Sequence, residues 1–201
     1  MEAEAKRGET REQLLQAARA VLSEHGYAGL STRRVAEAAS TPMSQIQYHF
    51  GSKEGLILAL FEDMNATLLD RQQAMFDDPS LPLSRQWELA CDFLEDDLNS
   101  GYVRILQELI AAGWSTPSIR AAATEGLNEW HRLLVVVARR AEKRLGSFSP
   151  FTAEELATLV SDAFLGAEAQ LLLGREDTLA PHRKALRRVG ALIASLEARS
   201  G

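Results

Sequence analysis

The stretch STRRVAEAASTPMSQIQYHFGSK, residues 31–53, decides the fold. Ser31 is an N-cap for a helix over 32–39, and Thr41 with proline at the next position opens another over 42–50. A polar break separates them, and each is too short to persist alone. Val35, Ala36 and Ala39 on the first, with Ile46 and Phe50 on the second, offer apolar faces that need a partner. Upstream, Leu14, Leu15, Ala18, Val21 and Leu22 recur at spacings of three and four along a helix over 11–25. Thr10 and Gln13 have the spacing of a capping box for its start, and Gly26 is a natural stop. The three segments together make a compact tri-helical unit closed by Gly51.

Beyond it, Ser52 caps a long helix over 53–76, ended by Asp77, Asp78 and Pro79. Further helices are predicted over 83–98, 102–112, 118–145, 153–173 behind a Thr152 and Glu155 capping box, and 181–199. Alanine and leucine dominate and β-branched residues are sparse, so helix is favoured almost throughout. The expected fold is all-α: an N-terminal three-helix helix-turn-helix unit plus a C-terminal bundle, about nine helices in total. The expected division is 1–52 and 53–201.

Composition narrows the function classes. The 201 residues are 46% hydrophobic and 25% charged, an ordinary globular mixture. Cys91 is the single cysteine, which excludes an intrachain disulfide and points to a reduced, cytoplasmic compartment. Met1 to Thr10 does not read as a secretory signal. The longest apolar runs, 56–61 and 133–138, fall far below the roughly 20 residues of a membrane helix. Histidines 25, 49, 131 and 182 form no metal spacing. Asp92 beside Cys91 disfavours a reactive thiolate, and adjacent carboxylates such as Asp96 and Asp97 splay apart on a helix. No enzyme, metal or cofactor is expected.

Two short helices around a tight turn can place the second in a DNA major groove. The net charge of −6 argues against a global field for polyanions. Residues 1–55, however, hold seven basic and seven acidic side chains, so the whole excess lies beyond them. Arg33 and Arg34 stand in a helical first turn, where the helix dipole disfavours cations by about 0.3–1 kcal/mol each. Phosphate contact would explain that placement, and Lys53 sits likewise at the start of the long helix over 53–76. With Ile46 and Phe50 inward, Met43, Ser44, Gln45, Gln47 and Tyr48 are left facing out. These residue types can read base edges or bind phosphate. Few cations per subunit favour binding as a dimer.

Gly26-Tyr27, the run from Ser31 to Ala39, and Ser44-Gln45-Ile46-Gln47-Tyr48-His49-Phe50-Gly51-Ser52-Lys53-Glu54-Gly55-Leu56 resemble the DNA-binding domain of the TetR family of bacterial transcriptional regulators. The resemblance covers roughly a quarter of the chain. It implies a homodimeric, ligand-responsive regulator, most often a repressor, on palindromic double-stranded operator DNA. It adds Thr41 and His49 to the DNA-contacting set, which becomes Arg33, Arg34, Thr41, Met43, Ser44, Gln45, Gln47, Tyr48, His49 and Lys53. Two positions depart from the pattern: Ser40 replaces a frequent turn glycine, and Gln47 replaces a frequent phosphate-binding tyrosine, which makes Gln47 a base-reading candidate.

The last two helices carry small residues that permit close approach. Leu156, Leu159, Val160, Ala163, Ala167, Leu186, Val189 and Ile193 suit either a four-helix dimer interface or an internal core. Phe61, Trp87, Phe93, Tyr102, Trp114, Trp130 and Phe164 either line an apolar effector pocket or fill the core, with His131 as a candidate polar anchor. The rival to a regulator is a helical protein-interaction module or small-molecule-binding protein without DNA binding.

Overall fold

The computed structural model describes residues 2–175 and 181–200, with nine α-helices and no strand among them. They are α1 Glu2–Gly29, α2 Thr32–Ala38, α3 Ser44–Phe50, α4 Lys53–Phe76, α5 Leu83–Asn99, α6 Tyr102–Gly113, α7 Pro117–Leu145, α8 Ala153–Leu172 and α9 His182–Ser200. From α4 onward each end lies within one residue of the position read from the caps. The Thr152 and Glu155 capping box forms in both directions.

Two helix starts differ from expectation. α1 begins at Glu2 rather than at residue 11, because the Thr10 hydroxyl donates back to the Lys6 carbonyl at 3.0 Å instead of capping. α3 begins at Ser44 rather than at residue 42. Its first turn is tightened by bonds from the Gln45 amide to the Pro42 carbonyl and from the Ile46 amide to the Met43 carbonyl. Met43 therefore takes the cap position without a side-chain bond, and the Thr41 hydroxyl is buried without a partner.

The described residues form two compact units. The first comprises Met1–Ala66 and Arg104–Gly126. Its core is Leu14, Leu15, Ala18, Leu22, Leu30, Val35, Ile46, Leu56, Ile57 and Leu60, joined by Ile105, Leu109 and Ile119, all essentially sealed from solvent. Each large aliphatic side chain so buried contributes about 1.5–3 kcal/mol. Here α1 meets α2 and α3, so the apolar stripe of α1 fixes the two short helices.

The turn between α2 and α3 is a Schellman motif: the Ser40 amide donates to the Glu37 carbonyl and the Thr41 amide to the Ala36 carbonyl. Ser40 itself sits at φ +51°, the left-handed region that favours glycine. Ser40→Gly is therefore expected to raise stability by about 0.5–1 kcal/mol, seen as a higher urea midpoint at constant m. An unchanged or lowered midpoint would contradict this backbone assignment.

The second unit comprises Thr67–Val103 and Leu127–Gly201. α9 packs chiefly on α5, pinned by Arg183 on Glu95 at 2.7 Å and Arg187 on Asp92 at 2.8 Å. Pro82 at the N-cap of α5 has no side-chain acceptor to offer. Glu197 of α9 supplies one, receiving the amides of Leu83 at 2.7 Å and Ser84 at 3.3 Å and the Ser84 hydroxyl.

Partial burial works to raise the Glu197 pKa, but the bonds from Ser84 and Leu83 outweigh it and hold the carboxyl below its ordinary value. The folded pKa is depressed, so this stabilisation is present above the ordinary glutamate range and fades as pH falls through it. Glu197→Gln puts an amide against amide donors and is expected to cost about 1–2 kcal/mol near neutral pH. Urea titrations at pH 7 and pH 3.5 should show that deficit shrinking in acid; a pH-independent deficit would contradict the charge argument.

Candidate nucleic-acid interface

Ser31 caps α2 by accepting the Arg34 amide at 3.2 Å, which sets the helix that supports the reader. α3 then projects its side chains in two sets. Ile46 is buried and Phe50 half-buried against the unit, while Met43, Ser44, Gln47 and Tyr48 are exposed. Tyr48 keeps 63% of its surface and Met43 57%, large values for such side chains. The Thr32 hydroxyl donates to the Met43 sulfur at 3.7 Å. Gln45 and His49 are half-buried, and burial first, then the charges of Arg7 and Arg11, push the His49 pKa down.

The three cations selected from the sequence have intrachain partners. The Arg33 guanidinium donates to Glu37 at 2.8 Å, one helical turn on, which raises its pKa further. Arg34 donates to the Gly29 carbonyl at 3.0 Å and so ties the end of α1. Lys53 donates to the Tyr27 carbonyl at 3.3 Å and lies 5.0 Å from that ring. The dipole violation that singled out the arginines is thus met in part by the chain itself.

Sequence reasoning missed the side chains that α1 adds to this edge. The Arg7 guanidinium lies 5.2 Å from the Tyr48 ring centre and Arg11 5.6 Å from that of Phe50. An open cleft of about 610 Å³ runs between α1 and α3, lined by Lys6, Arg7, Thr10, Thr41, Pro42, Gln45, Tyr48 and His49. The signal was the Lys6-Arg7 pair one turn before Thr10 and Arg11, hidden by starting the helix at residue 11. Glu108 of α6 was missed as well: it accepts the Tyr27 amide at 3.2 Å, and a Cβ at Gly26, φ +69°, would lie 2.8 Å from it.

The remaining candidates are divided between the two units. In the second unit, Phe164 meets Trp87 and Trp130 edge-on at 5.6 and 6.1 Å. The Trp87 indole donates to the Leu186 carbonyl and that of Trp130 to Gln72. Phe93 stacks under Arg71, Tyr102 is buried and His131 half-buried. Phe61 belongs to the first unit, packed against Gly126. Trp114, also in the first unit, is 76% exposed.

Among the residues assigned to subunit contact, Ala167 and Leu186 are buried within the chain. Leu159 and Val189 are exposed, Ala163 with them, while Leu156, Val160 and Ile193 are half-buried. Leu192, unremarked in the sequence, is 60% exposed. Gly190 lets α9 approach Trp87 inside the chain, where a Cβ would stand 3.2 Å from the indole. Cys91 is buried, its thiol pushed up to about 11 by desolvation, far from a nucleophile's range.

A tri-helical unit with α3 presented at its edge, at the head of an all-helical chain, defines a helix-turn-helix protein. Residues 14–60 match the model of the bacterial regulatory proteins of the tetR family. The HTH-type transcriptional repressor AcnR of Corynebacterium glutamicum is 39% identical over 61 residues, 30% of this chain and 32% of that protein. The matched segment thus spans about a third of that relative's length. A TetR-family transcriptional regulator from Pectobacterium atrosepticum is 26% identical, with 96% of this chain and 93% of that one aligned at a TM-score of 0.65. A TetR transcription regulator from Haloarcula marismortui shares the fold, with a TM-score of 0.76 at 19% identity over 94% and 97% of the two chains. Residues 14–60 thus carry the amino-terminal domain that the tetR family model describes, and the chain shares its fold with solved TetR-family regulators.

Proposed function

We propose that this protein is a homodimeric transcriptional repressor that binds palindromic operator DNA through α3 and releases it when a small molecule binds the second unit. The observation that carries the reading is the α3 edge, where Met43, Ser44, Gln47 and Tyr48 stand exposed with no carboxylate among them. Gln47 has the donor and acceptor pair that reads adenine, and Tyr48 a hydroxyl for phosphate. The DNA-contacting set of ten residues named from the sequence is retained, with Arg34 and Lys53 also bracing the reader through Gly29 and Tyr27.

Dimerisation is assigned to the α8 and α9 faces that carry Leu159, Ala163, Val189 and Leu192, whose exposure supports apolar contact between subunits. The effector site is assigned to the aromatic trio Trp87, Trp130 and Phe164. In functional terms, residues 1–52 read DNA and 53–201 dimerise and sense. α4 starts directly after the reader at Lys53 and carries ligand-induced displacement to it, assisted by the Glu108 bond to Tyr27. Two-fold DNA requires recognition helices about 34–36 Å apart, so a shift in that separation releases the operator.

The test is a gel shift with the DNA upstream of the protein's own coding region. Retention resistant to excess nonspecific duplex supports the repressor reading. Absence of retention at low salt favours the alternative, an interaction module without DNA binding.

A further inference from the structure

The cleft between the amino-terminal turns of α1 and the recognition helix bears a charge pattern that the cations of the reader itself do not offer. Arg33 is held by Glu37, Arg34 by the Gly29 carbonyl and Lys53 by the Tyr27 carbonyl. Among the described residues, neither Lys6 nor Arg7 forms an ion pair, and both line the cleft with the polar side chains of Thr10, Thr41, Gln45, Tyr48 and His49. Among the described residues, no carboxylate lines it. A guanidinium stacked on a tyrosine ring keeps its N–H edge free for a planar array of acceptors. The Thr41 hydroxyl, buried and unpartnered, is a donor in want of an acceptor at the same wall.

We infer that this cleft is a phosphate seat: Lys6 and Arg7 of α1 hold the DNA backbone strand flanking the groove that α3 enters, and Arg7 sets the ring of Tyr48 against the same strand. The inference rests on the DNA-binding reading and extends it to turns of α1 that lie before the matched segment 14–60. Phosphate contacts position a protein without reading sequence, so this seat fixes the angle at which α3 meets the bases. Burial, and then the charges of Arg7 and Arg11, push the His49 pKa down at this wall.

The test compares full-length wild type with the double variant Lys6→Ala, Arg7→Ala on a duplex selected by wild type, with binding measured across a salt series. Four cations are removed per dimer, and each phosphate contact contributes about 0.9 to the slope of log K against log salt. The slope is expected to shrink by about three to four and affinity to fall at least ten-fold at 0.1 M salt, equally on all bound sequences. Arg7→Lys should retain the slope, and helical content by circular dichroism should match wild type in both variants.

If wild type binds a duplex but the double variant binds it with the same affinity and slope, the phosphate seat is overturned while the repressor reading stands. A loss confined to certain sequences at constant slope also overturns it, in favour of base reading by Arg7. Inorganic phosphate titrated at constant ionic strength separates a free anion from the DNA backbone. Micromolar phosphate binding lost in the double variant, with DNA binding intact, overturns the assignment. If wild type binds no duplex, both readings fall.

Discussion

Gly55→Ala is expected to destabilise the protein by about 3 kcal/mol and to abolish duplex binding. Propensity alone predicts the opposite, since alanine in a helix is worth about 1 kcal/mol over glycine. The geometry decides the sign. Gly55 lies in the first turn of α4, its amide donating to the Ser52 hydroxyl at 2.9 Å, and a Cβ there would stand 2.1 Å from the Phe50 carbonyl oxygen. That oxygen is backbone, so relief requires the end of α3 to move away from the start of α4. Urea unfolding measures the loss, and a gel shift measures the displaced reader. A variant as stable as wild type would mean that the α3 to α4 junction is not packed as described.

Gln47→Ala is expected to leave folding within about 0.5 kcal/mol of wild type, because the side chain is exposed. Its effect falls on DNA instead. A bidentate contact to one base is worth about 1–3 kcal/mol, and a dimer carries it twice, so operator affinity should drop by about 2–6 kcal/mol. The loss should concentrate on one base pair per half-site and leave the salt slope unchanged. A uniform loss with a reduced slope would mean that Gln47 contacts phosphate, as the tyrosine frequent at this position in the family does.

These two positions also show how legibility divided. The helical architecture was readable because punctuation and periodicity agree: Ser31, Gly51 and the Thr152 and Glu155 box each act locally, and the stripe from Leu14 to Leu22 is buried as its spacing demands. Local signals failed where two backbone solutions compete for one side chain. Thr10 serves a helix interior as well as a cap, and Thr41 lost its cap role when the turn before α3 tightened. Ser40 was visible as a departure from glycine, yet only the φ of +51° exposes its strain.

The site was half legible for the same reason. Outward positions on α3 follow from the placement of Ile46, whereas the partners of Arg33, Arg34 and Lys53 depend on which carbonyl or carboxylate lies across the turn. Gly55 stood inside a resemblance, but its reason, the Phe50 carbonyl, is tertiary. Lys6 and Arg7 were out of reach once α1 was begun five and four residues beyond them, at residue 11. The opposing faces of α8 and α9 carry similar small and aliphatic residues, so periodicity alone did not separate Leu186, buried on Trp87, from Leu192, exposed.

The central claim is that a pair of α3 helices reads two-fold symmetric DNA. Selection of bound duplexes from a random pool at low salt, with the stoichiometry of the selected complex measured, tests it most directly. The account predicts an inverted repeat whose half-sites lie one helical turn apart, occupied by an even number of subunits, with affinity falling steeply as salt rises. A pool that remains random after repeated rounds, or a single asymmetric site bound by one subunit, would contradict it.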